Sequence, residues 1–285
     1  MIIERCYLEI SNTCNLSCSF CHKTRRGPRM MSEDEFRFLC ARIKGSVKYL
    51  YLHLLGEPLI HPKLCDFIKI ARENGMGVII TTNGTLLGER ADELTKAAPH
   101  KVSVSLHAPE ANGAFASDEY MRGVIGFARK ASKDGIFVVL RLWNEGGLDL
   151  GNASIVASLE SAFGEKDAWV KSRSGYRVAD RVFLEFGERF DWPDMSAQDY
   201  GDDLFCYALR EQFGILCDGT VVPCCLDADG EMALGNLFDS TLDEILSSPR
   251  AKAIFDNFTR HKAIEPLCRR CGYAAKTKRH REQKS

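Results

Sequence analysis

Arg5-Cys6-Tyr7-Leu8-Glu9-Ile10 reads as a β-strand by its period of two, and shortly beyond it stands Cys14-Asn15-Leu16-Ser17-Cys18-Ser19-Phe20-Cys21. Three thiols spaced C-x3-C-x2-C on one loop can face a single metal centre. No fourth ligand lies near: Cys40 belongs to the apolar stripe of a helix pattern, and His22 adjoins Cys21 too closely to reach round comfortably. Three ligands suit a [4Fe–4S] cluster with one iron left open. Zinc is the competing occupant, but a structural zinc site wants four closed ligands.

Outward from this loop, β-rich runs alternate with helical patterns. Strands are expected at 5–10, 48–53, 77–82, 101–107, 136–142 and 181–186. Between them fall a helix begun by the Ser32/Glu35 capping box, one opened by Pro62, and others at 89–96, 118–133 and 154–163. Six βα units are too few to close an eight-stranded barrel, so the expected fold is α/β, a partial (β/α)6 TIM-like barrel. The strands are not uniformly apolar, as strands buried on both faces would be. Tyr7 and Glu9, then Tyr49, Tyr51 and His53, then Ser103, Ser105 and His107, then Arg141 and Trp143, and finally Glu185 place polar or aromatic groups on one face. A wider partial barrel can hold such a polar cavity, with its chemistry at the C-terminal rim.

At 285 residues the chain is long for one compact domain, and 45% hydrophobic with 27% charged residues is ordinary for a globular protein. Twelve cysteines fall short of the density of a disulfide scaffold. With no membrane-spanning run and no signal-type h-region, a reducing cytoplasm is the expected setting, where clustered cysteines point to metal or catalysis. A net charge of −1 argues against nucleic acid and membrane as partners.

From Asp191 an acidic stretch reads as a linker, followed by a two-residue hairpin at Asp218-Gly219 and short helices at 242–247 and 250–258. The expected domains are a barrel over 1–195, a small α+β subdomain over 196–275 and a basic, disordered tail over 276–285. Cys206, Cys224, Cys268 and Cys271 can close a second four-thiolate site; Cys225 is the alternative to Cys224, and zinc fits the same spacing. Cys6, Cys40 and Cys65 fall on apolar faces, and Cys217 in the hairpin, where packing is their reading.

The Cys14-x3-Cys18-x2-Cys21 pattern, with Phe20 before its last cysteine, resembles the radical S-adenosylmethionine (SAM) signature. Gly56-Glu57-Pro58 resembles that family's Gly-Gly-Glu-Pro motif, with Leu55 in place of the first glycine, and Thr82-Asn83-Gly84 ends strand three as in the family. The resemblance implies that Gly56 and Glu57 meet the SAM amino group through backbone, that Asn83 and Ser105 lie at the ribose, and that Arg141 holds the carboxylate. The C-terminal cysteines resemble the twitch subdomain, the short form of SPASM, which implies a second [4Fe–4S] cluster on Cys206, Cys224, Cys268 and Cys271. Two [4Fe–4S] clusters, SAM and an external electron donor such as flavodoxin or ferredoxin are thus implied.

For the substrate, Glu185, Glu188 and Arg189 at the end of strand six, with Asp191, Trp192 and Trp143, are the candidate catalytic group. They suit a small polar cyclic molecule. The overall plan resembles queuine lyase, which would act on a modified nucleobase. A peptide or protein maturase of the sulfatase-maturase type and a non-catalytic iron–sulfur protein are the alternatives.

Overall fold

Alternation of strand and helix carries through the chain in a computed structural model that describes residues 3–147 and 149–282. β1 (Ile3–Leu8), α1 (Glu33–Ile43), β2 (Val47–Tyr51), α2 (Leu64–Glu73), β3 (Gly77–Thr82), α3 (Leu87–Ala97), β4 (Lys101–Ser105), α4 (Asp118–Lys133), β5 (Phe137–Glu145) and α5 (Asn152–Phe163) follow in order. A meander of β6 (Val170–Ser172) and β7 (Gly175–Ala179) then leads into β8 (Val182–Glu188). β1, β2, β3, β4, β5 and β8 pair in that order, each parallel to the next, as the expected partial barrel requires.

The outer face of this sheet is apolar. Leu8, Leu50, Leu52, Ile80, Val104, Leu140 and Leu184 are fully buried beneath the helices, where α1 and α2 stack Phe36 on Phe67 at 4.1 Å. α1 starts where the sequence placed it: Glu35 N donates to Ser32 Oγ at 3.3 Å and Ser32 N donates back to Glu35 Oε2 at 2.8 Å. Cys6 and Cys40 are buried between β1 and α1, the packing role expected of them.

The chain continues through β9 (Gln212–Ile215), β10 (Thr220–Val222), β11 (Gly235–Asn236), α6 (Leu242–Leu246), α7 (Pro249–Thr259), α8 (Pro266–Arg269) and α9 (Gly272–Glu282). Three expectations need correction here. The hairpin turns on three residues rather than two. Leu216 N donates to Thr220 O, Gly219 N donates to Leu216 O, and only Gly219 takes positive φ, so the turn is a type I turn with a glycine bulge. The acidic stretch is docked, not free: Asp199 pairs with Arg269 and Arg270, and Ala263 N donates to Asp202 O at 2.7 Å. Residues 276–282, expected in a disordered tail, continue α9, whose first turn buries Ala274 and Ala275 and presses Gly272 on Asp191; residues 283–285 lie outside the described residues.

Sequence reasoning also missed the join. β9 pairs parallel with β1, Arg5 opposite Gln212 and Leu8 opposite Ile215, so a single eleven-stranded sheet runs from β11 to β6 across the expected boundary at 195.

Candidate active site

The inward strand faces, the first cysteine loop and the C-terminal cysteines surround one cavity of about 600 Å³. Cys14, Cys18 and Cys21 line it, as do Cys206, Cys224, Cys225, Cys268 and Cys271, so two thiol sets open onto a shared space.

The first loop is fixed by the strand ends it covers. Asn15 Nδ2 donates to Thr85 Oγ1 at 2.9 Å, Ser17 N to Asn112 Oδ1 at 2.8 Å, and Ser19 N to Ala111 O at 2.9 Å. Three donors already reach sulfur: Leu16 N meets Cys14 Sγ at 3.4 Å, Asn83 Nδ2 meets Cys14 Sγ at 3.8 Å and Asn112 Nδ2 meets Cys18 Sγ at 3.1 Å, contacts that favour thiolate. Burial opposes them, raising all three thiols and pushing Cys21 to about 11. An iron cluster bound here would therefore displace protons.

Behind this loop, Gly56 takes φ +75°, and a side chain there would also strike Ser11 O and Thr13 O, so the position requires glycine. Glu57 N donates to Thr13 O at 2.9 Å, and the Glu57 carboxylate, buried, receives Leu59 N at 2.9 Å, Thr82 Oγ1 at 2.8 Å and Asn83 N at 2.7 Å. Glu57 thus locks the Gly56 turn to the end of β3. Leu55, where the family motif has glycine, packs with Leu54, Leu216 and Val222 on the seam to the C-terminal module. The Asn83 amide points at the cysteine loop, donating to Asn15 Oδ1 at 2.9 Å with Cys14 Sγ at 3.8 Å.

Ser105 and Arg141 sit level on adjacent strands, and Glu185 is opposite Arg141 on the next. All three line the cavity. Arg141 is stacked over Trp143 at 4.2 Å, its Nε has no partner, and burial pulls its guanidinium down from the ordinary value. Of the candidate catalytic group, Glu185 and Arg189 face the cavity, with Trp192 beside them, while Glu188 does not. The correction follows from strand parity: inward Glu185 puts position 188 on the opposite face, where its carbonyl accepts from Lys276 at 2.8 Å. Glu9, expected on the polar inner face, is instead sealed by Arg26 and Cys217 N. Arg5, Lys101 and Gln212 also line the cavity and were missed, although Lys101 shares the parity of Ser103 and Ser105.

In the C-terminal set, Cys206 is pushed to about 11 by burial, opposed by the backbone N–H groups of Ala208 and Tyr207. Burial, then the neighbouring Cys206, Cys225, Cys268 and Cys271, lifts Cys224 well above its ordinary value. Cys225 packs against the Leu54–Leu55–Val222 cluster on the seam, and also lies near Cys206 and Cys271. Among the described residues no three His, Cys, Asp or Glu side chains converge on a single-ion position. Cysteine-only donors spread around a cavity fit iron–sulfur clusters. No helix among the described residues is long and apolar enough to cross a membrane.

Comparison with known proteins agrees with this geometry. The Radical SAM superfamily profile matches residues 8–151, and SPASM, an iron–sulfur cluster-binding domain, matches residues 206–272. The chain is 35% identical over 94 residues to the tungsten-containing aldehyde ferredoxin oxidoreductase cofactor-modifying protein of Pyrococcus furiosus, covering 32% of this chain and 26% of that protein. It is also 35% identical over 104 residues to a probable GTP 3',8-cyclase of Methanococcus vannielii, covering 35% of each. The match thus spans only about a third or less of these relatives' length. Among solved structures, BtrN with AdoMet and 2-DOIA aligns with TM-score 0.62 and 18% identity over 95% of this chain and 93% of that one. The enzyme anSMEcpe with AdoMet gives 0.60 and 16% over 94% and 88%. The chain belongs to the radical SAM superfamily, as an enzyme with a C-terminal SPASM-type domain whose cofactors are SAM and [4Fe–4S] clusters.

Proposed function

We propose that this enzyme binds a small polar cyclic substrate in the barrel and abstracts a hydrogen atom from it, with queuine, a modified nucleobase, as the first candidate. A partly open cavity of about 600 Å³, largely apolar with Ser105, Arg141 and Glu185 set along its strand faces, is the observation that carries this reading. SAM, bound beside a reduced cluster, supplies a 5′-deoxyadenosyl radical. On this reading Cys14, Cys18 and Cys21 hold the cluster and leave one iron open. The backbone around Gly56 and Glu57 receives the SAM amino group, Ser105 and Asn83 flank the ribose, and Arg141 pairs with the carboxylate. Cys206, Cys224, Cys268 and Cys271 hold the second cluster, and an external donor such as flavodoxin or ferredoxin supplies electrons. Glu185 and Arg189 orient substrate at the rim, while Trp192, stacked on His22 at 6.0 Å, closes one side of the cavity against water.

The test is an anaerobic metabolite screen with reconstituted protein, SAM and dithionite, reading 5′-deoxyadenosine above the uncoupled background. A small ring substrate should raise that release, and with queuine a free deazaguanine base should form. Stimulation by peptides alone would replace this reading with that of a maturase. Unchanged queuine would remove the lyase assignment.

A further inference from the structure

β4 opens with Lys101, and the period of two puts Lys101, Ser103 and Ser105 on one face. Ser105 is at the level of Arg141, where SAM is placed above. Lys101 lies four residues earlier, about 13 Å deeper at the usual strand rise. Its ammonium nonetheless belongs to the cavity, close enough to His53, Arg141, Glu185 and Arg5 for their charges to act on one another.

Three cations share this floor with one inward carboxylate. Arg5, Lys101 and Arg141 line the cavity beside Glu185, whose charge reaches both Lys101 and Arg141, while Arg5 pairs with Glu211 and lies near Glu4. Lys101 has no hydrogen bond or ion pair to any described side chain. Three buried polar atoms on the same wall also lack partners: Arg5 Nε, Arg141 Nε and His53 Nδ1. His53 is half-buried, and desolvation, then Arg141 and Lys101, hold its pKa down at about 3, so it brings no further charge. Buried donors without partners are costly unless a bound group completes them, and Lys101 beside them has no direct side-chain contact of its own.

We propose that the barrel floor is an anion subsite, in which Lys101 receives a carboxylate or phosphate of the substrate, with Arg5 and His53 as further donors. This rests on the small-substrate reading above. A ring without an acidic group would leave Lys101 without a direct contact, so acid-bearing rings join queuine as candidates within the proposed class.

The test measures binding of three probes, benzoate, phenyl phosphate and benzyl alcohol, to anaerobic holoprotein with SAM by calorimetry. One of the two anions should bind at least tenfold more tightly than benzyl alcohol, and the better one tells carboxylate from phosphate. Lys101→Gln should erase that preference and Lys101→Arg should keep it, with iron content and melting temperature confirming that both variants fold. Equal binding of anion and alcohol, no anion binding, or an unchanged preference in Lys101→Gln overturns the subsite. A neutral ring that still drives 5′-deoxyadenosine release would then leave the small-substrate reading standing, whereas stimulation by peptides alone would remove both.

Discussion

Arg26 grips Glu9 with both terminal nitrogens at 2.7 Å, and Glu9 also accepts from the backbone N–H of Cys217 at 3.0 Å, 208 residues along the chain. The same strap is held a second time by Asp229, which receives Thr24 Oγ1 at 2.6 Å and Arg25 N at 2.9 Å and meets His22 Nε2 at 2.9 Å. The segment leaving Cys21 is therefore bolted to the C-terminal module, and this sets the two cysteine groups against one another.

Glu9 is fully buried, so Glu9→Gln removes its charge while leaving Arg26 and Cys217 N in place. The expected loss is about 3–5 kcal/mol, the usual result of breaking one side of a buried pair. Denaturant unfolding under anaerobic conditions measures it. A loss below about 1 kcal/mol, the level of an exposed pair, would show that the clamp is dispensable.

Gly56→Ala should be far more damaging than a surface glycine change. The added methyl would sit 2.3 Å from Ser11 O and 2.7 Å from Thr13 O, in a backbone conformation that alone costs about 1–2 kcal/mol for a non-glycine residue. The cysteine loop must shift, so SAM affinity should drop at least tenfold while the outer helices stay folded by circular dichroism. Wild-type SAM binding in Gly56→Ala would refute the proposed backbone contact.

Iron counting separates the two thiol sets. Reconstituted protein should carry about eight irons, falling to about four when Cys14, Cys18 and Cys21 are replaced by alanine, with loss of 5′-deoxyadenosine formation. Cys224 lies near Cys206, Cys268 and Cys271 and Cys225 near Cys206 and Cys271, so Cys224→Ser should also fall to about four and Cys225→Ser should not; the reverse outcome would make Cys225 the ligand. Zinc in place of iron in the C-terminal half would reassign that site.

His53 should give the protein an acid limb. Burial, reinforced by Arg141 and Lys101, lowers its pKa from 6.5 to about 3, so between those values the unfolded chain binds a proton that the folded chain refuses. Stability present above pH 6.5 is then lost as pH falls, at roughly 1 kcal/mol per pH unit from this group. His53→Gln should shed less stability than wild type between pH 6.5 and about 5, read from unfolding curves at each pH. Parallel curves for the two proteins would mean that His53 is not held neutral.

Much of this molecule is legible in its sequence because local chemistry decides it. Ser32 with Glu35 begins α1, Gly77–Thr82 is a strand to the residue, and C-x3-C-x2-C marks its loop without any tertiary information. What escaped depends on partners distant in sequence. Glu9 shares its strand parity with Tyr7, yet Arg26 and Cys217 claim it. Glu188 was grouped with Glu185 by proximity in sequence when parity alone separates them. The β6–β7 meander carries too few apolar residues to announce itself, and Gly175 is required there because a side chain would strike Leu184 O at 2.0 Å.

The parallel pairing of β1 with β9 has a consequence for how the chain is made. Residues 5–8 leave the ribosome early, but the strand that covers their outer edge, 212–215, is more than 200 residues behind. At about 5–20 residues per second, β1 waits roughly ten to forty seconds with an open edge during synthesis. Over that interval an unpaired, partly apolar strand is exposed to other nascent chains, and Cys14, Cys18 and Cys21 stand beside it without the seam that shelters them. Iron loading and protection from aggregation are thus both tied to the completion of one late strand.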